Sequence, residues 1–161
     1  MATISVTEGD ILGELRAYLT ELFSCQVVRG YANDSPPPVD GIVMHMLFER
    51  DLDYTADYWN PADEQMTAQR SVEATFQLDF YGAEANSRSR VVANLWKSSY
   101  TTDRMTKCQP LDNSQPRKDV LVNQANQYEN RMMLEITLQY NPETSYHVDS
   151  VDEISITTTN I

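Results

Sequence analysis

The chain has 161 residues, with 12 Lys and Arg against 24 Asp and Glu, so its formal net charge is −12 at pH 7. This length favours one domain with one core, and a hydrophobic content of 41% is typical of a folded globular protein. The excess of acid argues against two classes of protein. Both those that bind nucleic-acid phosphates without regard to sequence and those that adhere to anionic membranes need exposed Lys and Arg.

The N-terminus and the cysteines predict the compartment. Residues 1–5 have no positive region followed by an apolar run, and no stretch approaches the roughly 20 apolar residues of a membrane span. Cys25 and Cys108 are far apart and form no Cys-x-x-Cys pair, so neither a redox nor a zinc signature is present. We expect a cytosolic protein with two free thiols and no membrane association.

The first predicted element is an amphipathic helix. Its apolar residues recur on one side with a period near 3.6, at Ile11, Leu12, Leu15, Tyr18, Leu19, Leu22 and Phe23. Thr7 is the predicted N-cap, with Glu8 and Asp10 in the first turn. The stripe predicts packing on a core, and a helix that binds a partner is the alternative.

Two strands and two loops are predicted next. A short strand at residues 26–31 leads into a loop with three successive prolines at 36–38, and a second strand covers residues 42–48. Residues 49–69 have no regular period, which predicts a long loop, and such loops are commonly functional or mobile. This loop contains Asp51, Asp53, Asp57, Asp63, Glu64, Tyr54, Tyr58 and Trp59.

Strict alternation of apolar and polar residues occurs in two further segments, residues 71–80 and 131–140. One face of each strand should be buried and the other solvated. A helix is predicted at residues 83–100, with Val91, Val92, Leu95 and Trp96 as its buried stripe. Residues 101–127 should be irregular apart from a short strand at 120–122. The pattern predicts an α+β fold, with a largely antiparallel sheet and helices on one face.

The C-terminal segment differs in composition from the rest of the chain. Residues 143–161 contain four acidic residues and no Lys or Arg. We therefore divide the chain into a single α+β domain, residues 1–142, and an acidic extended arm, residues 143–161. Ile154 and Ile156 lie in a strand-like stretch, and two interpretations stay open: a frayed chain end, or an arm that adds a strand to a neighbouring subunit.

One segment resembles a catalytic motif. Asp51-Leu52-Asp53-Tyr54-Thr55 is similar to the Asp-x-Asp-x-Thr nucleophile motif of haloacid-dehalogenase phosphatases. Here Glu49 and Arg50 separate the first aspartate from the apolar strand, and no downstream acidic segment matches the one that holds magnesium in that family. His45 and His147 lack metal-ligand spacing, and no glycine-rich phosphate loop is present. We expect no catalytic residue, metal or cofactor.

Four segments follow one another in a recognisable order between residues 9 and 142. They are the amphipathic helix, then Val27-Val28-Arg29-Gly30 with its proline loop, then Phe76-Gln77-Leu78-Asp79-Phe80-Tyr81-Gly82 before a helix with Leu95-Trp96, and finally Gln127-Tyr128-Glu129-Asn130-Arg131 leading into Leu138-Gln139-Tyr140-Asn141-Pro142. In this order and spacing the chain resembles the neck or tail terminator proteins of tailed bacteriophages. The acidic excursion at residues 51–65 and the tail after Pro142 lie outside the resemblance.

The resemblance implies an α+β subunit that forms a ring, usually hexameric, on top of the tail tube. Such a ring stops tube polymerisation and meets a head-side connector or stopper protein, while DNA passes through its lumen without specific binding. It implies a protein of the virion neck, assembled in the cytoplasm of the bacterial host. No cofactor or catalytic residue comes with the family.

Recognition by surfaces makes interface and lumen residues the candidates. Aromatics in a charged loop and the start of the last strand give interface candidates: Tyr54, Tyr58, Trp59, Tyr128, Glu129, Arg131, and in the arm Ile154 and Ile156. At the start of the last strand we expect an ion pair or hydrogen bond between Glu129 and Arg131 or with a neighbour. Neutral or acidic residues on the polar strand faces give lumen candidates, because negative charge lets DNA slide: Glu73, Gln77, Asp79, Glu135 and Gln139. An ordinary solvated sheet face and aromatics folded back onto the domain are the alternatives.

Three other functions stay open from the sequence. An adjacent head–tail connector ring would need the same kind of surface complementarity. An acidic module that mimics DNA would display its carboxylates in a regular array, whereas here they are scattered over loops, strands and tail. An aspartate-based phosphatase would depend on Asp51 and magnesium.

Overall fold

Two β-sheets and three helices make up the described part of the chain. The structure, a computed structural model, describes residues 3–30, 36–122 and 128–149, with the backbone alone for residues 120–122 and 128–129. The strands are β1 (Thr3–Ile4), β2 (Gln26–Arg29), β3 (Gly41–Asp51), β4 (Ala56–Asn60), β5 (Gln65–Gln69), β6 (Val72–Tyr81), β7 (Gln109–Asn113), β8 (Arg117–Val122), β9 (Tyr128–Tyr140) and β10 (Glu143–His147). The helices are α1 (Glu8–Phe23), α2 (Ala85–Leu95) and α3 (Ser99–Thr102). The predicted α+β class is confirmed.

The large sheet has the strand order β2-β3-β6-β9-β7, and β8 pairs with the other half of the same edge of β9. Every neighbouring pair is antiparallel except β2 with β3, which is parallel. The prediction of a largely antiparallel sheet is confirmed. Strand β9 is an interior strand of the sheet, with β6 on one side and β7 and β8 on the other.

The helices cover one face of this sheet, as the alternation predicts. The apolar positions of β6 and β9 form the core with α1 and α2, and Phe76, Leu78, Leu134 and Ile136 are fully buried. Each such side chain stabilises the fold by about 1.5–3 kcal/mol. Trp96, directly after α2, is also fully buried and donates its indole N–H to the carbonyl oxygen of Thr137 at 3.1 Å.

Helix α1 begins where its sequence predicts. The Thr7 hydroxyl accepts the N–H of Asp10 at 3.2 Å, and the Asp10 carboxylate accepts the N–H of Thr7 at 3.0 Å, which forms a capping box. The helix ends at Ser24, in the left-handed conformation with φ of 49°. Its buried stripe, Ile11, Leu12, Leu15, Tyr18 and Leu19, confirms packing on the core.

The second helical segment and the region after it differ from the predictions. The helix expected at residues 83–100 is divided into α2 and α3, and Val91 is 38% exposed and not part of the buried stripe. The region expected to be irregular contains β7, and β8 begins at Arg117 and not at residue 120. Strand β7 is polar and contains Pro110, so pairing with β9 and not its own pattern makes it a strand.

The prediction of a long loop at residues 49–69 is wrong. Strand β3 continues to Asp51, and β4 and β5 form an antiparallel hairpin that belongs to a second, small sheet with the order β1-β10-β5-β4. The excursion closes on itself, because Leu52 donates its N–H to the carbonyl oxygen of Ser71 at 2.9 Å. The small sheet therefore extends from the end of the large sheet at which Asp51 of β3 is paired with Val72 of β6.

The predicted C-terminal arm starts inside the small sheet. Its first five residues are β10, which pairs with β5 and with β1. Residues 150–161, and with them Ile154 and Ile156, lie outside the described residues.

Candidate functional site

A charged network lies on the face of the large sheet that the helices leave uncovered. Arg131 of β9 donates from Nη2 to Asp79 Oδ2 at 2.7 Å and from Nη1 to Asp119 Oδ2 at 3.1 Å. His45 Nε2 lies 3.2 Å from Asp79 Oδ2, and Gln77 donates to Asp79 Oδ1 at 2.8 Å. Strands β3, β6, β8 and β9 thus all contribute to one carboxylate-centred network.

The network is shielded from water. Asp79 is fully buried and the Arg131 side chain is 17% exposed. Burial acts to lower the pKa of Arg131, but the hydrogen bond and charge of Asp79 outweigh burial, so the pKa lies above its ordinary value. The predicted solvated face of β6 is therefore wrong at Asp79, because the Arg131 guanidinium of the neighbouring strand β9 allows this carboxylate to be buried.

A pocket of about 250 Å³ opens beside this network. Its wall is made by the ends of β2 and β3, the prolines Pro36 and Pro37, and the side chains of His45, Asp79 and Arg131. Gly30 lies so close to His45 that a Cβ atom there would be 2.0 Å from Nδ1. Glycine at this position is what allows the imidazole to lie against the end of β2.

The small sheet has one apolar face. Trp59 of β4 lies opposite Met66 of β5, which lies opposite Tyr146 of β10, so the three side chains form a row across the sheet. The next row on this face contains Ala68 and Ile4. Trp59 is 38% exposed, Tyr146 43% and Ile4 54%, and within the described residues the core contains no side chain of this sheet.

The opposite face of the small sheet is polar and hydrogen-bonded. Glu143 accepts hydrogen bonds from Tyr58 Oη at 2.8 Å and from Gln69 Nε2 at 3.1 Å, and Thr67 and Ser145 are joined at 3.0 Å. The hydrogen bond to the carboxylate of Glu143 raises the pKa of Tyr58. This face is held together by its own contacts.

The small sheet and its connections are acidic throughout. Residues 52–69 and 141–149 contain no Lys or Arg, and their six carboxylates belong to Asp53, Asp57, Asp63, Glu64, Glu143 and Asp149. Asp57 lies on the apolar face, two residues before Trp59, and forms no ion pair with any described residue. An exposed aromatic row with a negative rim is the result.

The structure separates the interface candidates. Tyr54 is 94% exposed before β4, and the adjacent Tyr58 and Trp59 lie on opposite faces of the small sheet. Tyr128 and Glu129 are in β9, opposite Val122 and Leu121. Arg131 forms ion pairs with Asp79 of β6 and Asp119 of β8.

The lumen candidates all lie on the uncovered face of the large sheet, but in different environments. Glu73 pairs with Arg50 at 2.8 Å, Glu135 pairs with Arg117 at 2.6 Å, and Gln139 donates to Asn141 at 3.4 Å. Gln77 is bound to Asp79, whose carboxylate is inside the subunit and not at the solvent surface that the sequence predicts.

Sequence reasoning missed Met66, Tyr146 and Ile4. The pairing of β4 with β5 places Met66 beside Trp59, and the pairings of β5 with β10 and of β10 with β1 add Tyr146 and Ile4 from distant parts of the sequence. The period-two pattern of residues 143–147 is too short to identify a strand by itself.

The aspartates of the phosphatase-like motif have structural partners. Asp51 pairs with Arg70 at 2.5 Å, and Asp53 accepts the N–H of Ser71 at 2.8 Å, a hydrogen bond that lowers the pKa of Asp53. Both contacts close the excursion at the base of the small sheet. In the described ranges no group of three or more His, Cys, Asp or Glu is placed to hold a metal ion.

Among the described residues, no helix has both the length and the apolar character that crossing a membrane requires.

Surfaces for contact are thus the main features of this α+β subunit, which fits the class of structural assembly proteins. The family model of the phage neck terminator protein matches residues 9–161, and the chain belongs to this family. It is a structural protein of the bacteriophage virion neck and takes part in tail assembly. The match includes residues 143–161 and the strands β4, β5 and β10 of the small sheet, beyond the segments that carry the sequence resemblance. A comparison with curated proteins finds no significant match.

Proposed function

We propose that the chain forms a ring with copies of itself at the neck of the virion, a hexameric ring as the resemblance stated above implies. The ring caps the tail tube, joins it to a head-side connector or stopper protein, and lets DNA pass through its lumen. Assembly takes place in the cytoplasm of the bacterial host. The observation that carries the proposal is the family match over residues 9–161.

The charge of the subunit supports the DNA-passage part of the proposal. A net charge of −12 gives the ring a surface that repels phosphates. Glu73, Gln77, Glu135 and Gln139 remain our lumen residues, since they share the sheet face without helices. The ion pairs of Glu73 with Arg50 and of Glu135 with Arg117 make this stripe close to neutral, which also disfavours tight DNA binding.

The subunit contacts in the proposal come from exposed residues and from the arm. Tyr54 is available for a contact outside the subunit because almost its whole surface is exposed. Tyr128 and Glu129 lie at the start of β9, and Ile154 and Ile156 would add a strand to a neighbour. A chain truncated after Asp149 should then form fewer rings than the full chain, with unchanged thermal unfolding of the subunit.

The proposal is tested by phage that cannot make this chain. If the ring caps the tube, electron micrographs should show tubes of uncontrolled length and heads without tails. An adjacent connector would leave tubes of normal length with unjoined heads, so tube length separates the two functions. Normal joined particles would overturn the proposal.

Oligomeric state gives a second test. Native mass spectrometry of the purified chain, alone and with tail tube protein, should show a closed ring in at least one of the two samples. A subunit that remains a monomer in both would contradict ring formation at the tube.

A further inference from the structure

The small sheet presents an apolar face that stays partly exposed among the residues that the structure describes. Trp59, Met66 and Tyr146 form its central row, with Ile4 beside them, and none of these side chains belongs to the core among the described residues. Clusters of exposed aromatic side chains are typical of the centre of a protein interface. The face therefore has the composition of a docking surface.

The carboxylates at the rim of this face determine which charge a docking partner must have. Asp57 lies on the face itself, Asp63 and Glu64 are at the turn of the hairpin, and Asp149 follows β10. The imidazole of His147 lies 3.9 Å from Glu64 Oε2 and 3.4 Å from Asp149 Oδ1, and no Lys or Arg occurs in residues 52–69 or 141–149 to neutralise the four carboxylates. Burying the row against another acidic surface would bring like charges together in a desolvated setting, which is strongly unfavourable.

A second copy of the chain has few cations to offer. Nine of the 12 Lys and Arg are already in ion pairs with carboxylates of their own subunit. The three that have no ion pair with a described residue, Arg16, Arg90 and Lys118, lie on α1, α2 and β8 and not on one element. Within the described part of a second copy, no group of free Lys and Arg side chains on one element could contact the acidic rim.

We propose that this face docks a different protein of the neck, one whose surface has an apolar centre and a rim of Lys and Arg. The proposal rests on the proposed function, since it identifies the chemistry of one partner in the same assembly. The aromatic row supplies the buried anchor, and the carboxylates select the partner by charge.

The yield of joined phage particles from cells that supply a variant chain in place of the natural one tests the proposal. Trp59→Ala should reduce the yield of joined particles at least about tenfold, and Val91→Ala, exposed to the same fraction of 38% but on α2, should not. Asp57→Ala should have a smaller effect than Asp57→Lys, because only the latter places a positive charge against a basic rim. Asp103→Lys, next to α3, is the charge control.

The outcomes are decisive in each direction. Equal yields from Asp57→Ala and Asp57→Lys would overturn the basic rim, and a normal yield from Trp59→Ala would overturn the docking face. If Trp59→Ala lowers the thermal unfolding temperature of the purified chain, the two Asp57 variants decide the question, since Asp57 has no ion pair to lose among the described residues.

Photo-crosslinking identifies the occupant directly. With p-benzoylphenylalanine in place of Tyr146, irradiated particles should give an adduct between this chain and a different virion protein. An adduct of twice the mass of the 18.4 kDa chain would show that a second copy occupies the face, and no adduct would show that the face is open; either result overturns the proposal. Failure of the proposed function is recognised separately, by normal joined particles in the absence of the chain.

Discussion

Asp79 of β6 and Arg131 of β9 form a buried ion pair, with 2.7 Å between Asp79 Oδ2 and Arg131 Nη2. The pair lies on the sheet face without helices, where His45 and Gln77 also contact the carboxylate. Removing one member of such a pair leaves a buried charge without compensation, whereas the intact pair contributes little net stability. The loss of either charge should therefore be much more costly than the loss of an exposed ion pair.

Arg131→Met tests the buried pair. The free energy of unfolding should fall by about 3–5 kcal/mol, because Asp79 would keep its desolvation cost without its main partner. Chemical denaturation with urea measures the change. Arg117→Met, on β8, removes an exposed ion pair with Glu135 and should cost less than about 1 kcal/mol. Equal losses in the two variants would contradict the role of burial.

Glu14 should make stability depend on pH. Burial acts to raise the pKa of this carboxyl group, but hydrogen bonds from the N–H groups of Thr106 and Lys107 outweigh it, so the pKa lies below the ordinary value of 4.5. A carboxyl group with a lowered pKa stabilises the fold above its unfolded pKa, and this contribution is lost as the pH falls. Glu14→Gln should therefore destabilise the protein by about 1 kcal/mol at pH 7, and the difference should shrink as the pH falls below 4.5.

Urea unfolding at several pH values between 7 and 3 measures this effect. Glu21→Gln is the control, since Glu21 is on the same helix and its contact with Arg104 is exposed. A Glu14→Gln difference that stays constant over the pH range would count against the hydrogen-bonded carboxylate.

The two cysteines should differ in reactivity. Both are free thiols, Cys108 is buried and Cys25 is partly exposed. Burial, with a further contribution from the hydrogen bond to Glu14, raises the pKa of Cys108 far above its ordinary value. Iodoacetamide at pH 8 should modify Cys25 at least about tenfold faster in the native protein, and the two rates should become similar in urea. Peptide mass spectrometry reads both sites, and faster labelling of Cys108 in the native protein would contradict its burial.

Two glycines give opposite predictions. Gly82 has φ of +96°, and a Cβ atom there would lie 2.4 Å from Asp40 Oδ1, so Gly82→Ala should destabilise the protein by more than about 1 kcal/mol. Gly13 is in the middle of α1 with nothing within 4 Å of an added Cβ, so Gly13→Ala should stabilise by about 0.5–1 kcal/mol. Thermal unfolding of both variants is the measurement, and a shift of the same sign would refute the assignment.

The elements that could be predicted from the sequence have a strong internal period. Helix α1 has an apolar stripe and a cap, and β6 and β9 alternate over ten positions, so their type and buried face follow from local pattern. The small sheet has no such signal. Its strands are five residues or shorter, and β10 pairs with β5 across more than seventy residues, so the long-range pairing defines them.

The same limit applies to the candidate site. Trp59 could be singled out as an aromatic in an acidic segment, but its neighbours Met66 and Tyr146 follow only from strand register. Asp79 occupies a position that alternation assigns to solvent, and its burial depends on contacts with His45 of β3 and Arg131 of β9. Local patterns describe one strand at a time, whereas both features belong to several strands.

The hydrogen-bonded base of the excursion affects how the sequence of this chain can change during evolution. The chain leaves the large sheet after Asp51 and re-enters it at Val72, and these two residues are paired with each other. A hydrogen bond between Leu52 and Ser71 joins the two ends of the excursion, residues 52–71. Because β3 and β6 stay adjacent whatever connects them, hairpins of different length and composition could be exchanged here at little cost in loop-closure entropy. Evolution of this hairpin could thus change which neighbouring protein the chain contacts, while the helices and the central strands are left unaltered.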